Sequence, residues 1–395
     1  THQLHGSLTV NPNFTLSAMG SFQDLERQTQ TTTYNTQTGD RRLTMGLGDQ
    51  DISGFTNLFG RITATNRFSN NMTLQSGFEY RYDKGSGDRI QGTPSITDYA
   101  AFMSLEWLPI QRITIRPGVR LIRNSDYEAP PVIPSINTKI SLSHNLDFRA
   151  GYARGFRSPA LRELHFWFFN ANHAIRGNQN LNAENSDSFT GSLSFRPLQN
   201  EKMRVNVALT GFYNHFDKLI TVAQDVNNPG QHTFVNIDTH KTTGGTIEAT
   251  LSLTNLNISA GFSQVGRYNR YSENLESPSF DWSPEINTSL LYRMESIRAS
   301  FNLTYKYTGR RPFHELAIVD GANILRQAYI DEFHHADLTL NKGINSHINL
   351  QLGVRNIFDV TSIRNTAMAG GGHGSSGPTA IGYGRSWFAG IHLNF

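Results

Sequence analysis

"IRASFNLTYKY", residues 297 to 307, decides the fold. Ile297, Ala299, Phe301, Leu303, Tyr305 and Tyr307 alternate with Arg298, Ser300, Asn302, Thr304 and Lys306, and an extended chain sends these two sets to opposite faces. One face is apolar and the other wet. The same alternation runs through 112–121, where Ile113, Ile115, Val119 and Leu121 interleave with Arg112, Thr114, Arg116 and Arg120. It runs again through 73–82, where Leu74, Phe78, Tyr80 and Tyr82 interleave with Thr73, Gln75, Glu79 and Arg81. About seventeen such segments can be counted, most of them roughly ten to fifteen residues long, against roughly five to six residues for strands of soluble sheets.

The connections carry a second regularity. Tight links such as "VNPNF", "FSNNM", "PLQNEK" and "GINSH" alternate with long polar stretches near 27–52, 84–97, 124–131, 157–184, 217–231, 268–281, 308–328 and 358–383. In an antiparallel array all short turns then lie at one end and all long loops at the other. Strands with one apolar face, short turns at one end and long loops at the other describe a transmembrane antiparallel β-barrel. Lipid satisfies no backbone group, so a membrane-spanning sheet has to close. A soluble sandwich, propeller or solenoid also gives period-two strands. No repeat of fixed period supports the last two, and a sandwich rarely shows this short/long parity.

Composition narrows the reading further. No apolar run approaches the roughly 18 to 20 residues of a spanning helix, and "THQLHGSLTV" at the start shows no signal-peptide pattern. The absence of cysteine excludes a disulfide framework, a thiolate metal site and a thiol nucleophile. A net charge of +3 is too small to argue for nucleic acid. In the last segment, "GRSWFAGIHLNF", Trp387, Ala389, Ile391, Leu393 and Phe395 share one face, like the terminal strand by which outer-membrane barrels are recognised for assembly. The expectation is one all-β domain over 1–395, embedded in outer-membrane lipid. If Phe395 ends on the periplasmic side, about seventeen strands put Thr1 at the cell surface. An odd count does not close into the usual even-numbered barrel. The first strands are therefore expected on another polypeptide or removed, a cleaved exposed loop being one origin; a miscounted strand is the other account of the odd number.

"GYARGFRSPALRELHF" followed by "GNQNLNAENSDSF" resembles a region of TonB-dependent outer-membrane receptors, in which a strand ends in "FRAP-x-L-x-E-L", crosses an outside loop and re-enters through "GNPNLKPE-S". Here the first motif reads Phe156, Arg157, Ser158, Pro159, Leu161, Glu163 and Leu164, and the second Gly177, Asn178, Gln179, Asn180, Leu181, Ala183, Glu184 and Ser186. Ser158, Gln179 and Ala183 depart from the family pattern. "GVRNIFDV", 353–360, with the final strand is similar to the family's "NLFD … PGR" ending, and the aromatic "LHFWFFNANHAI" looks closest to receptors of the Bacteroidota. The resemblance implies a 22-stranded barrel with a plug, of which this chain carries about seventeen strands and no plug. It implies active import of haem, cobalamin or a ferric siderophore, energised by TonB–ExbB–ExbD, with the plug and early strands on a partner polypeptide and room for a surface lipoprotein. No intrinsic cofactor is expected.

Within the motifs, Pro159 ends the ladder because it lacks an N–H, Arg157 can pair with Glu163 or Glu184, and the Asn178 and Asn180 amides can fix a turn. Phe166, Trp167, Phe168 and Phe169 give a flat apolar surface, for cargo or for packing within the loop; Arg157 and Arg176 accompany it. His173, four residues before Gly177, stands where the resemblance implies a haem-iron ligand, and it can equally be a polar loop residue; His165, His314, His334 and His335 are weaker candidates. Arg112, Arg116, Arg120, Arg149 and Arg298 are expected to face the lumen, either to attract anionic cargo or to pair with Glu79, Glu106 and Asp147. Asp49 and Asp51 in "GDQDISG" can share a calcium ion. The competing functions are a passive pore or structural barrel, and a rim enzyme built on Asp331, Asp337 and His334. No catalytic motif supports the enzyme, so no enzymatic activity is expected.

Overall fold

The computed structural model describes residues 1–394 apart from 47–48, 127–129, 171–172, 226–227, 229, 273, 320–321 and 368–376. Among these, the period-two segments become seventeen long strands: β1 (His2–Asn11), β2 (Phe14–Gln30), β3 (Gln50–Ser69), β4 (Met72–Ser86), β5 (Ser95–Ile110), β6 (Ile113–Asn124), β7 (Ile133–Ser141), β8 (Leu146–Arg157), β9 (Glu184–Gln199), β10 (Met203–Gln224), β11 (His232–Leu253), β12 (Leu256–Ser272), β13 (Asp281–Met294), β14 (Ala299–Thr308), β15 (Phe333–Gly343), β16 (Ile348–Arg355) and β17 (Ser386–Leu393). Each pairs antiparallel with the next in chain order. β1 and β17 are the two edges, and no ladder joins them among the described residues. Thr1 lies at the long-loop end, since His2 stands opposite Phe22 while Asn11 and Phe14 flank the first short turn.

Register turns the alternation into rungs. Val205, Leu251, Ile258, Leu290, Leu303 and Leu338 lie side by side across β10–β15, and the adjacent rung is Asn206, Thr250, Ser259, Ser289, Thr304 and Asp337 on the opposite face. The apolar face is open: Leu352 is 55 % and Trp387 77 % exposed, with Leu8, Ile62, Leu209 and Ile391 also exposed. A belt of this extent is costly against water and favourable against lipid. The terminal aromatic, Phe395, lies outside the described residues.

Short turns are closed by side chains that mimic a backbone turn. Asn11 Oδ1 accepts from the Asn13 amide at 2.9 Å, Asn200 Oδ1 from the Met203 amide at 2.7 Å, and Asn345 Oδ1 from the Ile348 amide at 2.9 Å. Two expectations change here. Arg112 sits in the turn between β5 and β6, and Arg298 follows a 3₁₀ turn (Glu295–Ile297) with φ 49°, so neither stands on the inner wall. At the other end, strands run further than expected. β10 continues to Gln224, because "LITVA" keeps β-branched residues in the ladder past the positive-φ residue Lys218, and β12 continues to Ser272. Likewise most of "GDQDISG" opens β3.

The rungs predict an asymmetry at mid-strand. Leu303→Arg, on the lipid face, is expected to cost about 2–4 kcal/mol, whereas Thr304→Arg on the inner face leaves stability nearly unchanged; denaturant unfolding in lipid vesicles measures both.

Candidate functional site

The segment from Arg157 to Glu184 joins β8 to β9 and crosses the long-loop rim. Its two ends are tied first. Arg157 and Glu184 are register partners. Arg157 donates through Nε to Glu184 Oε2 at 2.8 Å and through Nη1 to Glu163 Oε2 at 2.8 Å, and a third bond runs from Nη2 to Glu184 Oε1. Each carboxylate also accepts a backbone amide, Ala160 at 2.7 Å on Glu163 and Ile220 at 2.8 Å on Glu184. One guanidinium therefore joins β8, the crossing and β10.

Beneath this knot Pro159 is fully enclosed, and a helix of five residues, α1 (Leu161–His165), follows it. Leu161 and Leu164 of α1, Leu181, Ile96 of β5 and Phe234 of β11 form the buried apolar cluster, with Ile175 and Ile220 packed against it. Next comes a hairpin, Trp167–Asn170 against His173–Arg176, whose second arm lies parallel to β11 through Ile175↔His232 and Arg176↔Thr233. Gly177 then passes so close to α1 that a Cβ would stand 2.4 Å from the Leu164 carbonyl oxygen. The Asn178 amide donates to the Glu163 carbonyl at 2.9 Å, its Nδ2 to the Phe234 carbonyl at 2.9 Å, and its Oδ1 accepts from the Asn180 amide at 2.9 Å. Asn182 and Asn236 exchange two bonds, at 2.8 and 3.0 Å. On the far side the crossing is held to the loop between β4 and β5: the Gln91 amide donates to the His165 carbonyl and the Trp167 amide to the Arg89 carbonyl, both at 2.8 Å.

The aromatic run divides by strand parity. Phe166 and Phe168, 5.5 Å apart, are covered by the guanidinium groups of Arg162 at 4.7 Å and Arg89 at 4.2 Å. The Trp167 and Phe169 rings meet at 4.4 Å on the other face, their planes tilted by 40°. Trp167 remains 36 % exposed at the edge of a cleft of about 570 Å³ between the crossing and β10–β12. Arg176 and Asp225, 2.5 Å apart, close the ion pair in that cleft, and Tyr271 forms its far wall.

Residues 1–357 match the family described as TonB dependent receptor-like, beta-barrel. The chain belongs to this family. Its fold is shared with the siderophore receptor PirA from Acinetobacter baumannii (17 % identity, TM-score 0.69, 97 % of this chain and 60 % of that one). It is shared equally with a mutant of the ferric enterobactin receptor PfeA from Pseudomonas aeruginosa (16 %, 0.68, 97 % and 60 %) and with the copper transporter OprC (16 %, 0.69, 100 % and 65 %). The chain thus spans about three fifths of the length of the first of these structures. No curated protein matches it. Membership in the TonB-dependent receptor family implies the outer membrane of a Gram-negative bacterium, and receptors of this family work with TonB–ExbB–ExbD.

In this receptor barrel the two motifs are scaffold. Arg157, Pro159, Leu161, Glu163, Asn178, Asn180, Leu181 and Glu184 meet in one knot, and Phe156 lines an inner-wall cavity of about 750 Å³ beside it. Arg157 and Arg176 both spend their charge on carboxylates of the chain. The backbone of His173 pairs with Asn170, and its side chain lies outside the described residues. His314 Nδ1 bonds to Asp281 at 2.8 Å and His334 to the Tyr305 hydroxyl at 2.9 Å. Strand parity puts His334 and Asp337 on opposite faces, and Asp331 stands 3.7 Å from Arg310. Asp49 accepts the Gly46 amide at 2.8 Å and Asp51 the Ser53 hydroxyl at 2.6 Å. No group of three metal-ligating side chains occurs among the described residues. On the inner wall Arg116 meets Glu106 and Arg120 meets Glu79. Sequence reasoning missed Arg89, Asp225, Phe234 and Asn236, whose partners are distant in the chain and whose own surroundings carry no motif.

Two predictions follow from this knot. Gly177→Ala and Arg157→Ala should each loosen the crossing while leaving the barrel folded, Arg157→Ala costing about 1–3 kcal/mol once its partial exposure is allowed for; faster proteolysis between 157 and 184 is the readout. Burial lowers the titration point of His165 and of His232, with the nearby Asp126 charge opposing part of the shift on His165. Groups lowered by folding contribute stability above their unfolded value, near 6.5, and lose it as pH falls through the folded value. Hydrogen exchange in the crossing should therefore accelerate, beyond its intrinsic pH dependence, between pH 7.5 and 5.5.

Proposed function

We propose that this barrel portion works, with further strands and a plug outside these 395 residues, as an outer-membrane receptor that imports a bulky metal chelate (haem, cobalamin or a ferric siderophore) using TonB–ExbB–ExbD energy. The observation that carries the reading is the crossing. It is pinned to β4–β5 on one side and to β10–β11 on the other, yet presents Trp167, with Phe169 tilted against it, at an open cleft of the long-loop rim. A flat conjugated or aromatic chelate offers a face that stacks on such rings. The similar structures include siderophore receptors and iron and copper transporters, which supports a chelated metal as cargo. In this reading the long-loop end, and Thr1 with it, faces the cell exterior.

Titration of the purified complex with a ferric siderophore, haem and cyanocobalamin is expected to give saturable binding to one of them. Trp167→Ala should weaken it by about tenfold, the loss of roughly one aromatic stack. Unchanged affinity in the variant, or no binding of any chelate, overturns the reading. An open single-channel conductance would favour a passive pore instead. Denaturing intact mass on the same complex checks the expected second polypeptide, which should carry a plug and early strands.

A further inference from the structure

Two rungs cross β8–β11 on the outer wall, the face that also carries Leu193, Leu209 and Ile247. The first is Tyr152, Phe189, Tyr213 and Thr243; the second, one step nearer the long loops, is Arg154, Asp187, His215 and Lys241. From Met203 at the short-turn end, β10 reaches Tyr213 as its eleventh residue, and a tilted strand leaves the hydrocarbon after about 9–11 residues. The rings therefore lie at the lipid–water boundary, with the charged rung just beyond it. Tyr152, Asp187, Phe189, Tyr213, His215 and Asp217 line an open groove of about 540 Å³ at this height. The Tyr152 and Phe189 rings meet at 5.0 Å. Asp187 accepts the Tyr152 hydroxyl at 2.7 Å, and Asp217 stands 3.0 Å from His215. Arg154, opposite Asp187 in register, is exposed and ion-pairs with no described side chain, while the Lys241 ammonium lies over the Tyr268 ring at 5.2 Å. A plug fills the lumen and does not reach this face. The edges where further strands would join, β1 and β17, are seven strands from β8 and from β10 respectively.

We propose that this groove docks a phosphorylated glycolipid of the outer leaflet. The proposal rests on the orientation given above, with the long loops outermost. A sugar ring lays its C–H face on the exposed aromatic rings, and its hydroxyls donate to the Asp187 and Asp217 carboxylates. Arg154 and Lys241 take the phosphate. The acyl chains continue over the apolar rung Phe148, Leu193, Leu209 and Ile247. An anionic lipid without a sugar would engage the cations alone, so the site discriminates by headgroup.

The test is native mass spectrometry of the purified receptor complex in detergent, titrated with diphosphoryl lipid A and separately with phosphatidylglycerol. Lipid A is expected to bind saturably, and about tenfold more tightly than phosphatidylglycerol. Arg154→Gln and Tyr213→Ala should each weaken lipid A binding by about tenfold, and Arg154→Lys should restore much of the first loss. Tyr307→Ala, which removes a ring from the same face on β14, should leave binding unchanged. If Tyr213→Ala does not fold, Arg154→Gln carries the comparison. No saturable lipid A binding, equal affinity for the two lipids, or equal losses from the groove variants and Tyr307→Ala overturns the proposal. Binding in detergent needs neither cargo nor a membrane orientation, so failure here and failure of the import reading show in different experiments.

Discussion

The wall of this barrel follows from one constraint: inside a bilayer no water is available to the backbone, so each N–H and C=O must find its partner on a neighbouring strand. Seventeen strands meet that demand by pairing each with the next, without a crossover. The same constraint sets side-chain chemistry. Outward rungs such as Leu251, Ile258, Leu290 and Leu303 face lipid, and inward rungs such as Thr250, Ser259, Ser289 and Thr304 do not. It also acts on the edges. β1 and β17 expose unpaired ladders, which in a membrane must be covered by each other or by further strands.

The rim answers a different problem. Above the bilayer, water competes for every polar group, and long connections gain order only by burying something. The crossing does so with Leu161, Leu164 and Leu181 against Ile96 and Phe234, then fixes its geometry with charge-assisted bonds to Arg157. Burial supplies the non-directional part of the stabilisation and the Arg157 fork the directional part. The consequence for function is that aromatic side chains not needed for this small core, Trp167 above all, are left available at the cleft.

How far the sequence speaks depends on the range of the code. Period-two alternation is local, so the strand number, the antiparallel order and the short/long parity of the connections were all readable. Arg112 and Arg298 were misplaced because alternation carries one residue past the strand into the turn, where their carbonyls still accept the Ser141 and Gly343 amides, and only the turn geometry, such as the positive φ of Arg298, says where the strand stops. The two motifs were readable as a strand exit and re-entry, and the Arg157 pairing with both Glu163 and Glu184 resolves an alternative that spacing alone left open. By contrast, α1 and the Trp167–Arg176 hairpin show no period, because four or five residues are too few to display one. Their positions are set by Arg89, Asp225, Phe234 and Asn236, which lie about 50 to 80 residues from their partners in the crossing. Such tertiary partners leave no local mark.

The lengths of β10 and β11 explain why the cleft sits where it does. A tilted strand crosses the hydrocarbon in about 9–11 residues, whereas these two strands have 22 residues each. About half of the β10–β11 hairpin therefore stands beyond the membrane as a stiff, twisted blade. The crossing leans on the far end of that blade, through Ile175↔His232 and Arg176–Asp225. A cleft carried at this height is in water, where an ion pair such as Arg176–Asp225 costs far less desolvation than it would among lipid tails. The extended ladder is thus what lets one polypeptide hold a lipid-facing belt and a polar, aromatic recognition surface within a single continuous sheet.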